Sequence, residues 1–329
     1  MDIEKETPKE NNLNHYFQQS EQIRAAINQV LIGQEQIVTD VLTALFSAGH
    51  VLVEGVPGLG KTLLVKALAK SLECKFARIQ FTPDLMPSDI TGHAVFDMKQ
   101  DTFKIRKGAV FTNLLLADEV NRSPAKTQAA LLEVMQERQV TIEGRALNVG
   151  NPFMVLATQN PIEQEGTYPL PEAELDRFML KLKMDYPIKE EEVSIAKIVT
   201  TGVVDDVLNV DAINSTMAPE TIIEIQKAVS VIPIDEQVID YAVRIVRATR
   251  EWPGIEHGAG PRGSIALIRA ARAAAFLRGG EFVIPDDIKS VSLPALRHRI
   301  IHSAEIEIEG VSTDETILQI LNKIESPRQ

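Results

Sequence analysis

Over the N-terminal half of the chain, short apolar runs alternate with longer stretches in which apolar residues recur every three or four positions. Runs at residues 50–54, 114–119 and 153–158 predict buried strands, and 75–80 and 178–184 read as two further strands of the same sheet. Helical spacing predicts helices over 16–31 and 36–48, the second with Ile37, Val41, Leu42, Leu45 and Phe46 on one side. A further helix carries Leu64, Val65, Leu68, Ala69 and Leu72, and another starts at Ser123-Pro124, serine as cap and proline first in the helix, and runs to about 136. Two alternating segments predict hairpins. In one, Val95 and Phe96 oppose Phe103 and Ile105; in the other, Val140 and Ile142 oppose Leu147 and Val149.

Past Pro187 the strand pattern stops. Helical segments follow at 220–231, 236–250, 264–277, 286–298 and 315–324, with Ser264 placed to cap the third. The pattern divides the chain into a polar tail expected to be disordered (1–14), an α/β domain with a five-stranded parallel sheet (15–187) and a smaller all-helical domain (188–329).

At 329 residues, 44% hydrophobic and 24% charged, the chain can build two cores. A net charge of −12 disfavours a constitutive nucleic-acid partner. The single cysteine, Cys74, excludes an internal disulfide and a cysteine zinc cluster, and its place beside a strand predicts a small buried hydrophobe. With no apolar run of membrane-spanning length and no signal-peptide core, the expected location is cytoplasmic, with no membrane partner.

Candidate chemistry concentrates after the first strand. Gly55-Val56-Pro57-Gly58-Leu59-Gly60-Lys61-Thr62 is a complete G-x-x-x-x-G-K-T phosphate loop between a strand and a helix. Its glycines let successive backbone N–H groups face one anion. Lys61 can bridge the outer phosphates, and the Thr62 hydroxyl can hold Mg²⁺. The strand ending in Asp118-Glu119 has the Walker B pattern: Asp118 on the metal, Glu119 polarising the attacking water. Asn160 follows the next strand, at the end where ligands gather. In Leu175-Asp176-Arg177-Phe178, Arg177 suits a phosphoryl group in transfer, or else pairs with neighbouring carboxylates. Arg262, beside the positive end of a helix, points to an external anion.

Taken in order, the phosphate loop, Leu-Leu-Leu-Ala-Asp-Glu, a hairpin, Ala-Thr-Gln-Asn-Pro, Leu-Asp-Arg-Phe and Gly-Pro-Arg resemble the AAA+ ATPases of the MoxR family over about residues 20–329. The stretch 117–137 is especially similar. The resemblance implies an AAA+ αβα core with a helical lid, hydrolysing ATP with Mg²⁺. Its nucleotide-binding set would be Gly55, Gly58, Leu59, Gly60, Lys61, Thr62, Leu63 and Arg262, with Thr62 and Asp118 on the metal. Catalysis would fall to Lys61, Glu119, Asn160 as sensor 1, and Arg177 as an arginine finger reaching a neighbouring subunit, with Arg262 as sensor 2 from the lid.

Such proteins work as rings, usually hexamers, and resemble chaperones that mature enzyme complexes, often with a von Willebrand factor A domain partner. The segments 86–107 and 139–149 resemble the helix-2 insert and pre-sensor-1 hairpin of the clade. Arg122 and Arg145 receive no firm role, and Gly260 stands where the family usually has serine.

Three alternatives remain at this stage. A magnesium-chelatase-like subunit shares the same motifs. An AAA+ nucleic-acid motor or transcription activator is countered by the acidic balance and by Gly108-Ala109-Val110-Phe111-Thr112, which only loosely resembles an activator loop. A GTP switch would rest on Asn322-Lys323-Ile324-Glu325, which ends in Glu where a guanine reader needs Asp.

Overall fold

Five parallel strands form the central sheet: β1 (Val51–Glu54), β2 (Phe76–Gln80), β5 (Leu114–Asp118), β8 (Met154–Gln159) and β9 (Leu180–Lys183), in the order β2-β5-β8-β1-β9. The structure, a computed structural model, describes residues 10–56, 58–161, 167–200, 210, 213 and 217–327. The inner strands β1, β5 and β8 are apolar over most of their length because helices cover both faces, whereas the edge strands β2 and β9 carry Arg78 and Gln80, and Lys181 and Lys183. Two helices, α1 (Glu10–Val30) and α2 (Glu35–Phe46), lead into β1; α3 (Lys61–Ser71) follows it.

Between β2 and β5, α4 (Pro87–Thr91) leads into a hairpin of β3 (Gly92–Asp97) and β4 (Thr102–Lys107), with Phe96 opposite Phe103. After β5 come α5 (Ala125–Glu137) and a second hairpin, β6 (Gln139–Ile142) with β7 (Arg145–Asn148). A single turn, α6 (Glu172–Leu175), precedes β9.

The C-terminal part comprises α7 (Lys189–Thr200), α8 (Pro219–Ser230), α9 (Glu236–Glu251), α10 (Pro261–Leu277), α11 (Pro285–Leu296), α12 (Ala304–Glu309) and α13 (Thr313–Lys323), with a two-stranded pair of β10 (Ile255–His257) and β11 (Ile301–His302). Among the described residues, no helix is long and apolar enough to cross a membrane.

Three local expectations are corrected. Helix α1 begins at Glu10, inside the stretch read as a tail; residues 1–9 lie outside the described residues. Pro124, not Ser123, stands at the cap of α5, and the Ser123 hydroxyl is buried without a partner among the described residues. Helix α10 starts at Pro261, whose fixed φ suits a first helical position, so Ser264 sits within the first turn and does not cap it.

The lid seats on β9, an edge strand whose outer carbonyls need donors. The segment just after α11 supplies donors to β9 and to the residues entering it: His298 Nε2 meets the Phe178 carbonyl at 3.0 Å, Arg299 Nη2 donates to the same oxygen at 2.7 Å, and Arg297 Nη1 donates to the Lys181 carbonyl at 3.2 Å. Elsewhere Gln226 donates to the Leu45 carbonyl at 2.7 Å and Phe276 packs edge-on to Phe46 at 5.5 Å. One apolar cluster therefore runs from the sheet through α2 into the lid. The lid flanks the sheet along β9 and α2.

Candidate active site

Gly58 and Gly60 adopt φ of 90° and 86°, the left-handed region open to glycine, and turn the loop from β1 into α3. Gly55 is needed for space: a Cβ there would come within 2.7 Å of the Met184 carbonyl beyond β9. Its N–H donates to Gln159 at 3.3 Å, tying the loop to the end of β8, where Asn160 is buried. Lys61, Thr62 and Leu63 form the first turn of α3, whose unpaired N–H groups and dipole favour an anion. Leu59 and Leu63 pack partly buried against the core and hold the loop down. Pro57 lies outside the described residues.

Lys61 Nζ donates to the Gly55 carbonyl. Burial lowers its pKa, and the nearby Asp118, Glu119 and Glu54 oppose that shift. Asp118 Oδ1 accepts from Thr158 Oγ1 at 2.6 Å, and Oδ2 takes the Arg78 guanidinium at 2.6 Å. Glu119 sits at φ 55°, a left-handed conformation that costs a non-glycine residue energy and turns its carboxylate toward Gln80 (2.7 Å) and Arg122 (3.2 Å). Its N–H donates to Thr158 Oγ1 at 2.8 Å, so one threonine orients both acids.

The donor set fits a magnesium ion. A cation, Arg78, is already drawn to Asp118. Among the described residues no group of three or more His, Cys, Asp or Glu could by itself hold a metal.

The two other predicted arginines stand apart from this cluster. The strands are parallel with Val51 opposite Leu180, so the segment before β9 lies at the sheet end opposite the phosphate loop, about 10 Å or more away. There Arg177 pairs with Glu174 at 2.6 Å and donates to Gln136 Oε1 at 2.6 Å. Arg262 lies 3.7 Å from Asp176 and is 59% exposed. Both line one cavity of about 370 Å³. Arg262 is therefore not poised over its own subunit's loop, because the lid flanks the sheet.

Thr158, Gln80 and Arg78 carry no assigned role in the sequence reading. All three lie at or near the carboxyl ends of strands, the signal that could have found them. Arg299, 3% exposed, also went unnoticed: it bonds Asp176 at 2.6 Å and the carbonyls of Phe178 and Met179. Arg122 now has a partner in Glu119, and Arg145 opens the exposed β7. Lys323 stacks 5.0 Å over Trp252. Gly108 makes a close turn, where a Cβ would meet the Ile90 carbonyl at 2.3 Å.

Residues 50–180 match the ATPase family associated with various cellular activities (AAA), and residues 247–320 match the AAA lid domain. The chain is 41% identical over 313 residues to Chaperone MoxR1 of Mycobacterium tuberculosis, covering 92% of this chain and 81% of that protein. It is 44% identical over 303 residues to YeaC of Bacillus subtilis, covering 92% and 93%. A solved structure from Cytophaga hutchinsonii is 42% identical, with a TM-score of 0.89 and coverage of 97% of this chain and 98% of that one.

A phosphate loop, a Walker B strand and a helical lid on this sheet order define an AAA+ ATPase. Within that class, the chain belongs to the MoxR family.

Proposed function

We propose that the chain hydrolyses ATP at the contacts between subunits of a ring, a hexamer by analogy with the family, and uses the turnover to remodel a partner protein complex. The observation that carries this reading is the separation within one subunit. Lys61, Asp118, Glu119 and Asn160 gather at one end of the sheet, while Arg177 and Arg262 share an open cavity at the other. A transferring γ-phosphoryl group needs cationic stabilisation, and an arginine facing away from its own loop meets that need in a neighbour.

In this scheme the backbone of Gly55–Gly60 and Lys61 hold the phosphates, and Leu31, whose side chain borders Gly60, brings the segment Ile32-Gly33-Gln34 beside the base. Thr62 and Asp118 would hold Mg²⁺, which supplies charge neutralisation on the phosphate oxygens. Glu119 orients and deprotonates the attacking water, and Asn160 aligns it. A chaperone-type role with a von Willebrand factor A domain partner and a protein client rests on likeness to the relatives named MoxR.

The test uses mixed rings. Arg177→Ala should bind ATP normally yet lose about 10³-fold in kcat. Glu119→Gln should bind and barely hydrolyse. Mixed one to one, the two inactive variants should recover activity, because about a quarter of contacts then pair an intact Glu119 with an intact Arg177. Absence of recovery in rings that still assemble would sink the shared-site reading.

A further inference from the structure

The cavity around Arg177 and Arg262 is richer in positive charge than those two residues explain. Five arginines line it, Arg138, Arg177, Arg262, Arg269 and Arg299, against a single carboxylate, Asp176, in a chain of net charge −12. Two are committed to the fold. Arg299 is 3% exposed and bonded to Asp176 and strand carbonyls; Arg269 donates to the Ser47 carbonyl at the end of α2.

Arg138 is different. It is exposed, donates once, from Nη2 to the Ala48 carbonyl at 3.0 Å, and has no carboxylate within ion-pairing distance among the described residues. A guanidinium carries five N–H donors, so most of its capacity faces the cavity. Its backbone is also costly: Arg138 closes α5 at φ 54°, ψ 22°, where glycine or asparagine fits without strain. Two residues earlier, Gln136 Oε1 takes the Arg177 guanidinium at 2.6 Å, so the end of α5 places Arg138 beside the finger. The field is unbalanced as well: burial, and then Arg138, lower the Arg269 pKa.

We propose that Arg138 is a third catalytic arginine of the shared site, contacting the phosphoryl group of a neighbouring subunit's nucleotide together with Arg177 and Arg262. This inference rests on the ring reading above. A phosphoryl group in transfer spreads charge over three equatorial oxygens, and planar guanidinium forks from three elements, α5, the β9 entry and α10, enclose such a group from separate directions. A strained backbone retained under an underused cation is the expected mark of a residue kept for contact with a ligand.

The test is Arg138→Gly in the full-length chain, with steady-state ATPase, melting temperature and mixed rings as readouts. Glycine relieves the left-handed backbone, so the melting temperature should stay level or rise. Turnover should fall at least about tenfold with KM little changed, since the variant's own phosphate loop is intact. Mixing with Glu119→Gln subunits should restore activity, as for Arg177→Ala.

Unchanged turnover in Arg138→Gly would overturn the proposal. If turnover falls and mixing fails, while Arg177→Ala with Glu119→Gln does recover, Arg138 acts within its own subunit; the proposal is then wrong and the ring reading stands. If neither mixture recovers, both fail. Should the glycine variant not fold, Arg138→Lys keeps the charge and the reach to Ala48 but loses the fork. Impaired turnover supports the proposal, and wild-type turnover rejects it.

Discussion

His50 makes the stability of this protein depend on pH in a way that its surroundings allow us to work out. The ring is buried at the foot of β1 and edge-on to Phe153 at 5.7 Å. Val155 N–H can only donate, so Nδ1 accepts it at 3.0 Å, and the proton resides on Nε2, which donates to the Met135 carbonyl at 3.1 Å. A second proton would set N–H against N–H and place a buried positive charge near Arg138 and Arg269. Burial therefore brings the pKa from 6.5 down to about 4, with Arg138 and Arg269 adding to the effect and the Met135 carbonyl opposing it.

Unfolding frees the imidazole to take up a proton. The contribution of neutral His50 is thus complete above pH 6.5 and is lost as the pH falls toward 4. The whole effect amounts to about 3 kcal/mol, of which about 2 kcal/mol is lost by pH 5. His50→Gln isolates it, because glutamine offers an acceptor to Val155 and a donor to Met135 but does not titrate. Urea unfolding followed by far-UV circular dichroism at pH 7.5 and pH 5 should show the wild type losing about 2 kcal/mol more than the variant over that step. Equal losses in the two proteins would refute the reasoning.

Two further outcomes follow from single contacts. Lys61→Ala removes the charged donor that opens α3, and titration with a fluorescent ATP analogue should show affinity weaker by about 10- to 100-fold, equivalent to one or two charge-assisted hydrogen bonds; unchanged affinity would take the loop out of the site. Arg299→Ala removes the buried guanidinium from Asp176 and from the Phe178 and Met179 carbonyls, leaving His298 on Phe178 and the more distant Arg262 on Asp176, and should cost about 3–5 kcal/mol in thermal or urea unfolding; a loss below about 1 kcal/mol would show that the lid does not depend on this clasp.

What could be read in the sequence was whatever a few neighbouring residues encode among themselves. A strand buried on both faces is an unbroken apolar run, so β1, β5 and β8 stood out, while the edge strands β2 and β9, broken by Arg78 and by Lys181 and Lys183, followed from their positions. The phosphate loop is equally local: Gly58 and Gly60 are glycines because the chain there adopts φ near 90°, and the lysine and hydroxyl must follow at once to open α3. Helix starts were less certain. Ser123-Pro124 and Gly260-to-Ser264 each hold two competing start signals: α10 begins at Pro261, whose fixed φ suits a first helical position, whereas in α5 Pro124 is itself the cap, with extended ψ.

The tertiary structure decided everything that depends on which surfaces meet. Nothing in the Arg262 neighbourhood says that its helix lies against α2 with α11 against β9, because that choice is made by carbonyls in and just before β9 and donors just after α11, more than a hundred residues apart in the chain. That seat moves Arg262 from its own phosphate loop to the side of Arg177. Arg138 belongs with them only through the placement of α5, since its sequence neighbours carry no motif. Local sequence specified the residues gathered around Lys61 and Glu119. Packing between distant segments set Arg177 and Arg262 at the other end of the sheet.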